Sequence, residues 1–500
     1  MKSSERAALA LLLLAFLATR LVSLTALPIF LDETGHIRWA VWISQGHKLE
    51  KPWQYGKGLP IFVNALVFPW ARDHYLWASR ALSVLFGAGT LLGTILLGRR
   101  LGGPPVGWLA GGLYVVCPYA LLYDRLALTD PALGTFAVFV ALLSLRVAEG
   151  GRRRDGVLLG IALMLAVFSK ALGALLFFAP LAAALLVAPG RLRRPATLAT
   201  AYAVAIALTA YALLRYFQVT ATFRVAVGKE AGGPLAHLKD NLPMCTAWLR
   251  NYWTNGLIAL GVIAVARAIV RRSRPALFLA VFLVVPVLAL AAMADIWFPR
   301  YLVFLNGPFA ALAAWGAHGL WTALRPGLGR AVGSAALLLA VLPAARLDLD
   351  ILRDPSRAAL DDSDRFQFVT GWPSGYGVRD TIAFVHEERA RHPGGILVVT
   401  NSRGVRTTAL ALDLEFAYGG GVRLEDLNFD EPEGALPLLA AWVRETPTLV
   451  VIEPSQGKSR RPRPEVFAPL GGVLVARTYK PDGTPCDDIY RLCMGEACSR

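Results

Sequence analysis

The sequence predicts a polytopic α-helical membrane protein, with about eleven transmembrane helices, that ends in a soluble α/β domain. Three observations support this. Hydrophobic residues make up 55% of the 500-residue chain and the mean hydropathy is +0.49. Apolar runs of roughly the 20 residues a bilayer crossing needs recur from Ala7 to near Arg346. Beyond about Asp348 the apolar runs shorten to strand length and alternate with helical patterns.

The charge pattern orients the spans. Lysine and arginine outnumber aspartate and glutamate 51 to 35, a net charge of +16. The excess sits between apolar runs, at Arg99-Arg100, Arg152-Arg153-Arg154, Arg191 with Arg193-Arg194, Arg271-Arg272 with Arg274, and Arg325 with Arg330. Basic clusters at every second connection are the positive-inside pattern, and Lys2 and Arg6 put the N-terminus inside as well. The clusters lack interleaved aromatics, which argues against a nucleic-acid partner. The first run has no small-residue cleavage site before Asp32 and reads as a retained helix, not a signal peptide.

The expected spans are 7–28, 77–98, 104–122, 131–148, 156–169, 171–188, 196–217, 254–270, 276–294, 300–322 and 331–346. Val157 to Ala188 is long for one crossing, is interrupted by Lys170, and has Arg-rich flanks on both sides. An even number of crossings is then required, so it reads as two short helices turning at Lys170. The membrane domain is expected over 1–346, with outer loops 30–76 and 218–253, and an extracytoplasmic α/β domain over 347–500. In that domain "GGILVVT" and "TLVVIEP" read as buried strands, each preceded by a helix, and "YKPDGTP" reads as a turn. Cys486, Cys493 and Cys498 would lie in an oxidising compartment, where one pair can bridge, though the spacing does not say which.

The outer connections carry the candidate chemistry. Asp32 and Glu33 form an acid pair just past the first span, and Asp130 precedes Pro131 at the start of another. Both aspartates suit an N-cap; a partly desolvated carboxylate at the membrane edge also suits a base or a metal ligand. Asp124 and Arg125 are neighbours that can pair with each other. Arg20, Lys57, Arg80, Lys170 and Arg300 are cations at or near membrane depth. Each singly is explained by snorkelling to the interface. Together on one side they suit a phosphate headgroup. His36, His74 and His237 are isolated.

Several stretches resemble, in order, the GT-C membrane glycosyltransferases of the protein O-mannosyltransferase and aminoarabinose transferase family. They are "LPIFLDETGHIRWA", "YGKGLPIFVNAL", "ASRALSVLFG", "DRLALTDPAL", "FSKALGALLF", "PRYLVFLNGP" and "GWPSGYGVRDTIAFV". The chain departs from the pattern at Gly35 and at Lys57-Gly58-Leu59-Pro60, which bears on the donor sugar and acceptor. The resemblance implies a GT-C-like fold in the inner membrane. It also implies transfer of a sugar from a polyprenyl-phosphate donor to a hydroxyl of a protein, lipid or glycan acceptor at the outer face, with inversion. It makes Asp32 the catalytic base. Asp130 is a second candidate acid, as an orienting group or, alongside Glu33, as a ligand for a divalent metal. A departing phosphate needs positive charge, for which Lys57, Lys170 and Arg300 are the first candidates and Arg80 and Arg20 the next. A flippase of lipid-linked sugars would use the same charges as a translocation path, and a catalytically silent member would present a glycan or peptide through its α/β domain. The lack of matching broken-helix repeats disfavours the flippase.

The arginine pattern makes a topology prediction. A cysteine-accessibility or reporter-fusion map should place residue 153 inside and residues 50, 235 and 400 outside. The same side for 153 and 400 would break the eleven-span reading.

Overall fold

The computed structural model describes residues 3–48, 51–190, 195–216, 233–294, 298–401, 405–418, 420–429, 432–453 and 464–493. The chain divides into two compact units. The first comprises Met1–Leu24, Lys48–Asn64 and Ser79–Asp361, and the second Thr25–His47, Ala65–Ala78 and Asp362–Arg500.

The first unit is helical. Among the described residues, helices Tyr75–Gly102, Asp130–Ala148 and Arg274–Met293 are each long and apolar enough to cross a membrane. Two bent pairs raise the number to five: Pro104–Val115 with Pro118–Asp124, bent by 62°, and Leu235–Tyr252 with Thr254–Val270, bent by 107°. The second bend falls at Thr254, whose φ of +55° is unusual for a β-branched residue. The other expected spans fall on helices that are shorter, interrupted or more polar. Examples are Ser3–Leu21, Ala196–Tyr216 and Leu328–Arg353, the last with Pro343 inside it. Of the expected outer loop 218–253, residues 218–232 lie outside the described residues, and Gly233–Tyr252 is a helix.

The expected break at Lys170 is present. Helix Arg153–Ser169 stops there, Lys170 is extended (φ −160°, ψ 139°), and a 3-10 turn over Ala171–Phe177 leads into helix Phe178–Val187. Asp155 starts the first of these helices by accepting the Arg152 N–H at 2.7 Å, and Arg146 pairs with it at 2.8 Å. Small residues set the packing. Gly156 and Gly160 lie one turn apart against helix Ala196–Tyr216, where a Cβ would come within 2.5 Å of the Thr197 carbonyl and 2.6 Å of the Ala201 carbonyl. Without a hydrophobic drive between helices in lipid, this close approach supplies the van der Waals contact that holds them.

The second unit contains a five-stranded mixed sheet of order β2-β1-β3-β5-β4. Its strands are β1 Ile396–Thr400, β2 Val422–Asp426, β3 Thr448–Ile452, β4 Val473–Tyr479 and β5 Pro485–Leu492. β1 pairs in parallel with β2 and β3; β5 pairs antiparallel with β3 and β4. β1 and β3 are buried along their whole length, as expected of parallel strands covered on both faces. Leu397, Val399, Val450 and Ile452 pack on helix Pro432–Glu445 through Leu439 and Val443. Val398, Leu449 and Val451 pack on the other side with Val385 of helix Val378–Arg391. The "YKPDGTP" turn joins β4 and β5, with Gly483 at φ +83°. Cys486 is buried and outside any disulfide, and Cys493 is disulfide-bonded; Cys498 lies outside the described residues.

Segments 25–47 and 65–78 belong to this unit through specific contacts. The Leu31 N–H donates to the Pro373 carbonyl at 3.1 Å and the Arg379 guanidinium to the Thr25 carbonyl at 2.5 Å. Phe30 meets Phe368 edge-on at 4.9 Å, and Phe68 meets Phe416 at 5.8 Å. Gly375 lets the backbones touch, since a Cβ there would lie 2.0 Å from the Ile29 carbonyl oxygen.

Candidate active site

The acid pair opens helix Leu31–Ser44 in the second unit. The sequence suggested Asp32 as its N-cap, and the structure corrects this. The N-cap is Phe30, and Glu33, three residues on, reaches back so that its Oε2 accepts the Phe30 N–H at 2.9 Å. That reciprocal bond is half of a capping box and starts the helix one residue before Asp32. Glu33 is completely buried, whereas Asp32 is half-buried. The two adjacent carboxylates therefore have different surroundings. On the same helix, Arg38 stacks over Trp42 at 4.6 Å. Glu415, also in this unit, has its carboxyl pushed up by burial, with Arg38 opposing the shift and Glu425 adding to it.

The second candidate cluster belongs to the first unit. Asp130 was also suggested as an N-cap, and here too the structure differs: the helix is already entered at Thr129, and Asp130 is its first residue. Its Oδ1 accepts from the Lys170 ammonium at 2.5 Å, with both side chains at most 10% exposed. A buried carboxylate recruits a cation across 40 residues in preference to the local backbone, because an unpaired charge at this depth is the costlier arrangement. Lys170 also sits over the Tyr301 ring at 4.3 Å. Arg300 and Lys57 are close enough to act electrostatically on Lys170, and Arg300 lies over Phe298 at 4.4 Å and Tyr301 at 5.7 Å. Trp53 packs against Phe62 at 5.2 Å and Phe168 at 5.3 Å, two residues from Lys170. Asp130 and Lys170 thus form the centre of this cluster, Arg300 shares the Tyr301 ring with Lys170, and Lys57 stands within electrostatic range. Sequence reasoning missed the aromatic walls of Tyr301 and Trp53, although both stand beside flagged cations.

Arg20 and Arg80 are engaged elsewhere. Arg20 is fully buried, lies 3.5 Å from Asp124, and donates to the Val115 carbonyl at 2.6 Å. The suggested Asp124–Arg125 pair is therefore replaced: Asp124 faces Arg20, and Arg125 donates to the Thr19 and Ser23 carbonyls at 2.9 and 2.8 Å. Arg80, also fully buried, donates to the Leu24 carbonyl at 3.0 Å. Among the described residues no three His, Cys, Asp or Glu side chains gather as a metal site. Glu33 is engaged in its capping bond and Asp130 by Lys170.

Comparison with known proteins bears on the fold. Residues 59–216 match the family model described as dolichyl-phosphate-mannose-protein mannosyltransferase. ArnT from Cupriavidus metallidurans superposes with a TM-score of 0.59 in its apo state, at 15% identity, covering 97% of each chain. Its undecaprenyl phosphate-bound structure gives a TM-score of 0.58 at 14% identity, with the same coverage. The chain has the GT-C fold. The Archaeoglobus fulgidus oligosaccharyltransferase shares it at a TM-score of 0.51 and 13% identity, over 89% of this chain and 69% of that one. No curated protein sequence matches the chain. The resemblance read from the motif series and the similarity of fold agree, and the family match falls on the stretch that holds Asp130 and Lys170.

The Asp130–Lys170 pair makes a prediction about stability. Lys170→Gln leaves a buried carboxylate without its ammonium and should destabilise the protein by about 3–5 kcal/mol. The double variant Asp130→Asn with Lys170→Gln should be less destabilised than Lys170→Gln alone. Thermal unfolding of the two variants measures this; equal losses would mean the pair is not coupled.

Proposed function

We propose that the protein is an integral-membrane glycosyltransferase that moves a sugar from a polyprenyl-phosphate donor to an acceptor hydroxyl at the outer face of the inner membrane. The observation that carries this reading is the cluster of Lys57, Lys170 and Arg300 around one carboxylate at the end of a membrane helix. Fixed cations beside the Tyr301 ring, with Lys170 and Arg300 buried, suit a lipid-borne phosphate. ArnT, which shares the fold, has been captured with undecaprenyl phosphate bound.

The chemistry follows from the leaving group. As the anomeric carbon–oxygen bond breaks, the phosphate gains negative charge, and fixed cations stabilise that change without reorganising. A phosphate departs as a stable anion, so no second carboxylic acid is needed to protonate it, unlike in most glycosidases. The remaining requirement is a base for the acceptor hydroxyl. Asp32 takes that role in this reading: it removes the hydroxyl proton as the oxygen attacks the anomeric carbon from the opposite face, inverting it. Glu33, buried in its capping bond, holds the first turn that presents Asp32. Arg20 and Arg80 hold helices together through buried backbone and carboxylate contacts. No step is assigned to a metal.

Two variants test the assignment with a radiolabelled polyprenyl-phosphate sugar in reconstituted vesicles. Asp32→Asn keeps side-chain size and loses only a first-turn charge, a stability cost of about 0.3–1 kcal/mol. It should nonetheless lower sugar transfer by about 10²–10⁴-fold while donor binding persists. Near wild-type turnover would remove Asp32 from the mechanism.

Arg300→Gln should instead weaken donor use in a folded protein, and Lys57→Gln should do the same. Unchanged donor affinity and turnover in both would return these cations to interface anchoring. Movement of the labelled lipid without bond cleavage would favour transport.

A further inference from the structure

The second unit holds a cavity of about 610 Å³ that the transfer reaction does not use. Its volume falls within the roughly 300–1,000 Å³ typical of small-molecule sites. Segment 65–78 contributes Asp73, His74 and Trp77 to one part of the lining, and the C-terminal part of the unit contributes Arg379, His386 and Asp413 to the other. The second set is held in place. His386 Nε2 and Asp413 Oδ1 are 3.0 Å apart, and Arg379 is anchored on the Thr25 carbonyl. Asp73 and His74 are exposed, and Trp77 is 48% exposed.

The residue set restricts what can fill the cavity. Two carboxylates against one guanidinium disfavour an anion, so this is not a second phosphate site. A cation would suit Asp73 and Asp413 but would meet Arg379. Acyl chains would take water from the exposed Asp73 and His74 side chains and offer them no hydrogen bond in return. A hydroxyl both donates and accepts: it donates to a carboxylate and accepts from a guanidinium or imidazole N–H. Adjacent hydroxyls on a rigid ring can satisfy such a mixed set while bringing no charge, and the apolar face of that ring can lie against an indole. We propose that this cavity, whose lining includes none of the residues assigned to the donor cluster, binds a neutral, hydroxyl-rich glycosyl group.

The experiment is saturation-transfer NMR on the full-length protein in lipid nanodiscs, free of glycoside detergents. The probes are methyl α- and β-hexopyranosides and a linear hexose disaccharide. Saturation should reach the ring protons of at least one probe, and Trp77→Ala and Asp413→Asn should each weaken its binding by about tenfold or more. Asp73→Asn, at an exposed position that leaves folding intact, should weaken it as well. Asp32→Asn should leave it unchanged, so this test is independent of the catalytic assignment. Absence of binding by every probe would overturn the proposal. So would binding that survives all three cavity variants, or binding lost with Asp32→Asn, which would place the probe at the catalytic acid.

Discussion

The cost of a charge at membrane depth is the constraint on which the helical unit depends. An unpaired ionised side chain there costs about 2.5–3.5 kcal/mol or more, so every such group must find a partner inside the protein. Arg20 finds Asp124 and the Val115 carbonyl. Arg125 finds two carbonyls at the end of the first helix, and Arg80 finds the Leu24 carbonyl. These partners lie on different helices, so satisfying the charges also fixes the register of one helix against another. Arg20 and Arg125 in this way tie the first helix to residues 115–125, and Arg80 ties the Leu24 carbonyl to helix Tyr75–Gly102.

The same constraint accounts for the Asp130–Lys170 pair, with a consequence for function. Lys170 sits where a helix ends and the chain turns extended, so its side chain leaves the helix at a carbonyl-rich terminus that favours a cation. Gly173 makes the turn possible, since a Cβ there would come within 2.3 Å of the Ala166 backbone. A broken helix at membrane depth thus collects one carboxylate and several cations. In the proposed reaction these cations face the anionic headgroup of the donor.

Much of this was legible in the sequence because it rests on local composition. The break at Lys170 followed from Arg-rich flanks on both sides of an overlong apolar run. The buried strands β1 and β3 followed from short β-branched runs, and the grouping of Lys57, Lys170 and Arg300 from their shared expected depth. Other features depend on tertiary choice and left no local signal. Asp124 had a cation beside it in sequence and pairs with Arg20, 104 residues away, because the adjacent Arg125 points at the Thr19 and Ser23 carbonyls instead. The joining of residues 25–47 and 65–78 to the sheet-bearing unit rests on contacts such as Ile29 against Gly375, which no periodicity reveals.

The acid pair and the role expected of Asp32 were legible in the sequence, but the capping bond that buries Glu33 was not. Residues at consecutive helix positions point about 100° apart, since there are roughly 3.6 residues per turn, so two adjacent carboxylates cannot share one environment. Once Glu33 turns back to the Phe30 N–H, it is committed to the interior and its charge is compensated by a backbone donor and the helix N-terminus. Asp32 is thereby directed away from that bond and remains half-buried. Its backbone is held from two directions: the Glu33 bond fixes the helix start, and the Leu31 N–H is tied to the Pro373 carbonyl. A base needs an orientation that does not drift and a carboxylate that is still accessible. In the proposed reaction Asp32 is the acid that meets both requirements, on a helix start that Glu33 holds in place.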